Sequence, residues 1–478
     1  MRVLFVASEV APWAKVGGLG DVVGSLPRVL RGEGVDARVC VPAHAGLLRK
    51  APSPRRVTSF AIGHGAGPLH ATIWESELDG VPAYLIAGPP IPDEGVVYTG
   101  RMDEEGERFV FFSLAALELC RRLEWRPDVL HCHDWHTAVA PHVLARRRPG
   151  DPDLAPIASL LSVHNLPYSG QGADAALHAY GIGGTEDPRV AYGHRFIPLV
   201  LGLAAADGLS TVSEGYAREM LTAEHGCGFE HLLRERRADL TGIRNGLDVE
   251  RWDPSHDAAI AAPYSAGDPS GRATCRAALH AELGLPDDEA PLLAVVSRLV
   301  AQKGVDLVIE ALRQLSALPW KAVILGTGDP GIERDCQALA AELPGKVRVR
   351  IGFDEALARR IYAGADCLAI PSRYEPCGMT QMIAMRYGCV PVARETGGLA
   401  DTVKDADLSE DATGILFPVA TPASQAFALR RAFALFGRPR WRALVEQGMR
   451  ADWSWKASAC DYVRLYERLA AGRARKKA

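Results

Sequence analysis

The residues of this chain best suited to chemistry fall in a few short stretches. In "VVSRLVAQKGVD", Arg298 closes an apolar run and Lys303 opens a helical pattern just after it. A guanidinium grips phosphate oxygens in pairs and an ammonium adds a point charge, so the two suit a diphosphate. Spacing alone also fits two surface cations. "KVGGLGD" sets Lys15 ahead of Gly17, Gly18 and Gly20 and ends on Asp21. Glycines at the start of a helix let an anion approach exposed backbone N–H groups, although a tight turn needs them as well. The stretch has neither dinucleotide-binding nor Walker spacing. A second glycine turn, "RETGGLADTV", again follows a strand pattern and opens a helical one. There Thr396, Gly397, Gly398 and Leu399 are expected to offer N–H donors to a phosphate.

Carboxylates and imidazoles sit in similar places. "SRYEPCGMTQMIAM" puts Glu375 in a short loop between strand and helix, with Cys377 and Gly378 beside it. Such a carboxylate can accept sugar hydroxyls or face a developing positive charge, and it can equally cap a helix or pair with a cation. Cys377 has no neighbouring histidine to act as its base and reads as packing. "HCHDWHT" and "SVHNLPYSGQG" place Asp134 and His164 at strand ends, where a polar wall against a sugar is expected. His131, His133 and His136 with Asp134 only superficially resemble metal ligands, since a strand turns Asp134 away from the two histidines before it. No metal site is expected. "DAD" (405–407) reads as a solvated loop.

Alternating apolar patterns supply the elements that position these loops. "RVLFVAS", "DVVGSLPRVLRGEG" and "DARVCVP" form a strand–helix–strand series, and a second series begins near residue 291. Such alternation predicts parallel sheets covered on both faces. Residues 56–87 read as an antiparallel insertion. The Pro-, Gly-, Ser- and Asp-rich segment 253–273 reads as a linker. The expected organisation is α/β, with two doubly wound Rossmann-like domains facing a deep cleft. The boundaries are 1–245, a linker over 246–275, a second domain over 276–455, and a returning helix with basic tail over 456–478. Ligands would sit at the carboxyl ends of the strands.

A net charge of −4, from 54 basic and 58 acidic residues, gives no support to nucleic acid or an anionic membrane as partner. No apolar run is long enough to cross a membrane. The ten cysteines are scattered without a Cys-x-x-Cys pair, which suits reduced thiols and a cytoplasmic protein.

Taken in order, "KVGGLGDVVGSLP", "CHDWHT", "VHNLPYSGQG", "TVSEGYAREM", "GIRNGLDVERWDP", "SRLVAQKGVDL", "LGTGDP", "YAGADCLAIPSRYEPCGMTQMIAMRYG" and "RETGGLADTV" resemble the bacterial glycogen synthases and plant starch synthases. These are retaining glycosyltransferases of the GT-B fold. The resemblance implies transfer of glucose from ADP-glucose to the non-reducing end of an α-1,4-glucan, with ADP released and no cofactor or metal. ADP-glucose and α-glucan are the implied partners, and a homo-oligomer is left open. By position it implies catalytic roles for Lys15, Asp134, His164, Arg298, Lys303 and Glu375. It implies donor or substrate contacts for Glu9, Lys15, Gly17, Gly18, Asp21, Tyr98, Asn165, Asn245, Cys377, Gly378, Thr380, Thr396, Gly397, Gly398 and Leu399. Asn245 and Asp248 mark the crossover into the second domain, and the 240–275 segment and last helix are expected hinges.

One stretch departs from the family. "RFIPLVLGL" carries Pro198 where the family usually has a lysine, and the residues before it lack the family's aromatic character. Acceptor preference therefore stays open, as do ADP- against UDP-glucose and front-face against double-displacement chemistry. Phosphorylase-like or sucrose-synthase-like activity, and a non-catalytic binding protein, are the competing readings.

Overall fold

The computed structural model describes residues 1–286 and 288–477. The last residue of the basic tail, Ala478, lies outside the described residues; Arg473 to Lys477 before it continue the final helix.

The chain forms two units, residues 1–246 with 455–478, and residues 247–454. The first holds a nine-stranded sheet. In chain order its strands are β1 (Arg2–Val6), β2 (Asp36–Pro42), β3 (Arg55–Ile62), β4 (Leu69–Leu78), β5 (Val81–Ala87), β6 (Val129–His133), β7 (Ala158–Val163), β8 (Gly208–Thr211) and β9 (Leu240–Gly242). Across the sheet they run β3-β4-β5-β2-β1-β6-β7-β8-β9. All pairs are parallel except β3–β4 and β4–β5. The antiparallel insertion is therefore continuous with the main sheet, because β5 joins β2 in parallel.

Strand alternation builds the two faces. Val3 and Phe5 enter one core with the helix Gly18–Gly32 and the last helix, Lys456–Lys477. Leu4 and Val6 enter the other, with the helices Met102–Arg122 and Pro198–Ala205. Successive side chains of a strand point to opposite faces, so a strand buried on both reads as an unbroken apolar run.

The second unit holds six parallel strands: β10 (Leu292–Val296), β11 (Lys321–Gly326), β12 (Val347–Ile351), β13 (Cys367–Ile370), β14 (Val390–Arg394) and β15 (Ile415–Phe417). Their order is β12-β11-β10-β13-β14-β15. It is the doubly wound order, in which the chain first steps outward one way from the opening strand, then the other way. The first unit reverses in the same manner between β1 and β6. The crevice at each reversal, at the carboxyl ends of the strands, is where loops of opposite sense part and a ligand fits.

The expected linker 246–275 is corrected. Residues 247–275 belong to the second unit and are pinned to it. Asp257 takes hydrogen bonds from Arg359 (2.9 Å) and Tyr387 (2.5 Å). Trp252 lies under the Arg359 guanidinium, and Tyr264 donates to the Tyr387 carbonyl. The helix Gly271–Leu283 already begins inside the segment. A composition rich in Pro, Gly, Ser and Asp is also that of a turn-rich coat laid on a rigid body. No helix of the described residues is long and apolar enough to cross a membrane.

Candidate functional site

In the first unit, the loops after β1 and β6 flank the reversal. The β1 loop carries Glu9, a buried carboxylate. Its Oε2 accepts the backbone N–H groups of Val16 (2.6 Å) and Gly17 (2.8 Å), and its Oε1 accepts the Tyr98 hydroxyl (2.7 Å). Tyr98 also meets Ser8 Oγ at 2.8 Å. The glycine stretch is thus an anion cradle, as its composition suggests, but the anion in it belongs to the chain. A Cβ on Gly20 would come within 3.1 Å of Glu9 Oε2, and one on Gly24 within 2.6 Å of the Ala11 carbonyl. Internal packing accounts for these two glycines. Lys15 and Asp21, both implied donor contacts, pair with each other at 2.8 Å. Asp21 lies in the first turn of the helix Gly18–Gly32, where a carboxylate also suits the helix dipole.

The β6 loop turns at Asp134, whose φ of 55° takes it out of strand conformation. Its Oδ1 accepts the N–H groups of His164 (2.6 Å) and Asn165 (3.3 Å), which ties the β6 and β7 loops together. Burial outweighs these two donors and pushes the Asp134 carboxyl up to about 7. His131 and His133 share a face, as strand geometry requires, with ring centroids 4.2 Å apart. Both nitrogens of His131 are occupied, by Tyr466 and Ser162. His133 Nδ1 meets His164 Nε2 at 2.9 Å. Burial drives all these imidazoles toward the neutral form, with His164 and His136 lowered to about 3. Among the described residues no three His, Cys, Asp or Glu side chains are grouped to hold a metal ion. Asn165 and Asn245 each keep a buried amide oxygen without a partner among the described residues.

In the second unit the loops after β10 and β13 flank the reversal. Lys303 ends a 3-10 turn, Ala301–Lys303. Its Nζ donates to Glu375 Oε2 at 2.6 Å, and Ser372 Oγ donates to the same oxygen at 2.8 Å. Gly304 follows with φ 64°, where a Cβ would strike the Pro371 carbonyl at 2.3 Å. Arg298 is exposed, and its nearest side-chain partner is Gln302 at 3.4 Å. Gln302 and Arg373 lace the two loops together. Gln381 Nε2 donates to the Cys377 and Gly378 carbonyls, which shapes the loop carrying Glu375; Cys377 is buried, and Thr380 begins the helix Thr380–Arg386.

The glycine turn at Thr396–Leu399 spends backbone donors on the chain itself. The Gly398 N–H donates to the Glu375 carbonyl (3.0 Å) and the Leu399 N–H to the Thr396 carbonyl (3.0 Å). The helix it opens, Gly397–Thr402, is short. A Cβ on Gly398 would overlap the Cys377 carbonyl oxygen at 2.2 Å, so close backbone crossing explains that glycine. Asp405, read as part of a solvated loop, is 6% exposed and held by Arg431 and the Leu416 and Asp407 N–H groups.

Sequence reasoning brought forward Glu9, Tyr98, Asp134, His164, Arg298, Lys303 and Glu375, and the structure gathers each at a reversal of its own sheet. It missed Ser372 and Gln381, which hold the Glu375 loop, and the pairing of His133 with His164. Ser372 is three residues before Glu375, just past a strand end, a spacing that lets its hydroxyl reach forward to the carboxylate, and this was the available signal.

Residues 2–235 match the family model described as the starch synthase catalytic domain, and residues 277–439 match that of the group 1 glycosyl transferases. A curated glycogen synthase of Anaeromyxobacter dehalogenans is 43% identical, over 98% of this chain and 100% of that protein. One from Geobacillus stearothermophilus is 39% identical, over 98% of each. The solved catalytic domain of starch synthase IV from Arabidopsis thaliana, bound to ADP and acarbose, aligns with a TM-score of 0.90 at 33% identity, covering 98% of this chain and 99% of that one. A sucrose-phosphate synthase from Thermosynechococcus elongatus shares the fold, with a TM-score of 0.62 at 19% identity over 98% and 99% of the two chains.

Proposed function

The chain belongs to the glycogen and starch synthase family of hexosyltransferases, and from that premise we infer that it extends an α-1,4-glucan with glucose from ADP-glucose, retaining the anomeric configuration and releasing ADP. The observation that carries this reading is Lys303 joined to buried Glu375 at the β10–β13 reversal, with Arg298 in the same loop.

The leaving diphosphate gains negative charge as the glycosidic bond breaks. Cations fixed in advance where that charge grows lower the barrier, because they need no reorganisation at the moment of reaction. Lys303 and Arg298 fill that role in this reading. Glu375 both holds the ammonium in place and faces the transferred glucose. Asp134 ties down the His164 loop, which lines the sugar site. The acceptor 4-hydroxyl loses its proton to the departing phosphate oxygen in a front-face reaction. No resident metal or cofactor is required, so EDTA should leave turnover unchanged. Ten cysteines scattered along the chain without a Cys-x-x-Cys pair accord with a reducing compartment, the cytoplasm.

Release of ADP from ADP-glucose, measured with and without glycogen, is the test. ADP should appear only when glycogen is present, UDP-glucose should be the poorer donor, and nuclear magnetic resonance of the product should show new α-linkages. Release independent of glycogen, or none with either donor, would sink the proposal.

A further inference from the structure

His133 ends β6 with its side chain fully buried, and its ring stacks on Phe5 with centroids 5.5 Å apart. Its Nδ1 lies 2.9 Å from His164 Nε2, and its Nε2 is buried with no partner among the described residues. The neighbouring His131 cannot supply one, because Tyr466 and Ser162 already occupy both its nitrogens at 2.8 and 2.6 Å. Burial keeps both His133 and His164 neutral, so each ring carries one proton.

Across a 2.9 Å contact one nitrogen donates and the other accepts. Two arrangements satisfy that requirement. In the first, His133 is protonated at Nε2, which leaves a buried N–H with no acceptor. In the second, His133 donates from Nδ1 and only a bare lone pair remains at Nε2. Orphaned buried N–H groups are the rarer defect in folded proteins, which selects the second. His164 then accepts at Nε2 and must hold its own proton on Nδ1.

We propose that His133 is a positioning residue, whose Nδ1–H fixes His164 as the Nδ1-protonated tautomer, so that His164 meets the saccharide as a hydrogen-bond donor and not as a base. The functional half rests on the reading that His164 lines the sugar site. Which nitrogen of a histidine is protonated follows from the bond made by the other, and here that bond comes from a residue that itself touches no substrate. One consequence bears on the reaction. With its Nε2 lone pair occupied, His164 has no place for the acceptor's proton, which leaves the departing phosphate oxygen as its destination.

The test uses the full chain labelled with nitrogen-15 and carbon-13 in histidine. Long-range correlation spectra separate protonated from bare ring nitrogens, and loss of a signal set in His164→Gln assigns His164. The expected spectrum has His164 protonated at Nδ1. His133→Leu, which keeps an apolar side chain in the pocket, should move His164 toward Nε2 protonation and lower kcat about tenfold with KM unchanged. His133→Asn, whose amide nitrogen stands near the place of Nδ1, should restore both the spectrum and kcat. His164 protonated at Nε2 in the wild type overturns the tautomer assignment, and this holds even if the variants fail to fold. Wild-type kcat in a folded His133→Leu, or an Asn variant no better than Leu, overturns the positioning role. Full turnover in His164→Ala would instead sink the reading of the sugar site, with the tautomer still decided by the spectrum.

Discussion

Glu375 has 5% of its surface exposed and gives one oxygen to both an ammonium and a hydroxyl. A buried ion pair contributes little net stability, yet removing one partner leaves a charge in a poorly solvated place and costs about 3 kcal/mol or more. Lys303→Met should therefore lose stability as well as activity. Glu375→Gln combined with it removes both charges, so the double variant should regain most of the lost melting temperature while turnover stays at least about a hundredfold down. Denaturant titration beside the ADP-release assay measures both. A single Lys303→Met as stable as the wild type would mean that the pair does not matter to the fold. The two charges were legible because each lies in a loop between a strand and the helix after it, where ligands gather. Their pairing was not, since 72 residues separate them. Lys15 and Asp21 show the same limit at short range: the sequence displays both charges but not that they meet each other.

Glycine turns were legible as turns, and what had to come close to them was not. The Gly398 backbone is crossed by that of Cys377, and the Gly304 backbone by that of Pro371. Gly398→Ala should accordingly destabilise the second unit by about 1–3 kcal/mol with no ligand present, as overpacking does. Thermal melting without nucleotide checks this. An unchanged melting temperature together with a raised KM for ADP-glucose would mean that the glycine serves the donor instead. The strands themselves could be read from short apolar runs set between helical patterns, which point to parallel doubly wound sheets. Residues 247–275 were misread because composition reports local flexibility only, whereas Arg359, Arg386 and Tyr387, more than a hundred residues onward, fasten the segment down.

Across the whole molecule the two units differ in what acid does to them. In the first, loss of hydration lowers His44 and His142 to about 4 and His136 and His164 to about 3, and pulls His131 and His133 well below the usual imidazole range. An imidazole lowered in the folded state adds stability that is complete above its unfolded value near 6.5 and is lost as pH falls below it. Each contributes a slope of about 1.4 kcal/mol per pH unit there. Asp134 works the other way. Raised to about 7, it favours the folded state at low pH and gives that up as pH rises from about 4 to 7, but it is one group against six. Among its described residues the second unit has one lowered histidine, His280. Its sensitive groups are carboxylates such as Asp306, lowered by the Arg373 hydrogen bond, and Asp257, where hydrogen bonds from Tyr387, the Ala259 N–H and Arg359 overcome burial. Lowered carboxylates keep their contribution until pH falls below about 4. Between pH 7 and 5.5 the first unit should therefore lose about 10 °C or more of melting temperature while the second holds nearly constant. Calorimetry should show one endotherm separating into two on that path. Hydrogen-exchange mass spectrometry at pH 5.5 should find the peptides of β6 and β7 opening before those of β10 and β13. If the second unit opened first, or both moved together, the buried histidines would not be what limits stability in acid.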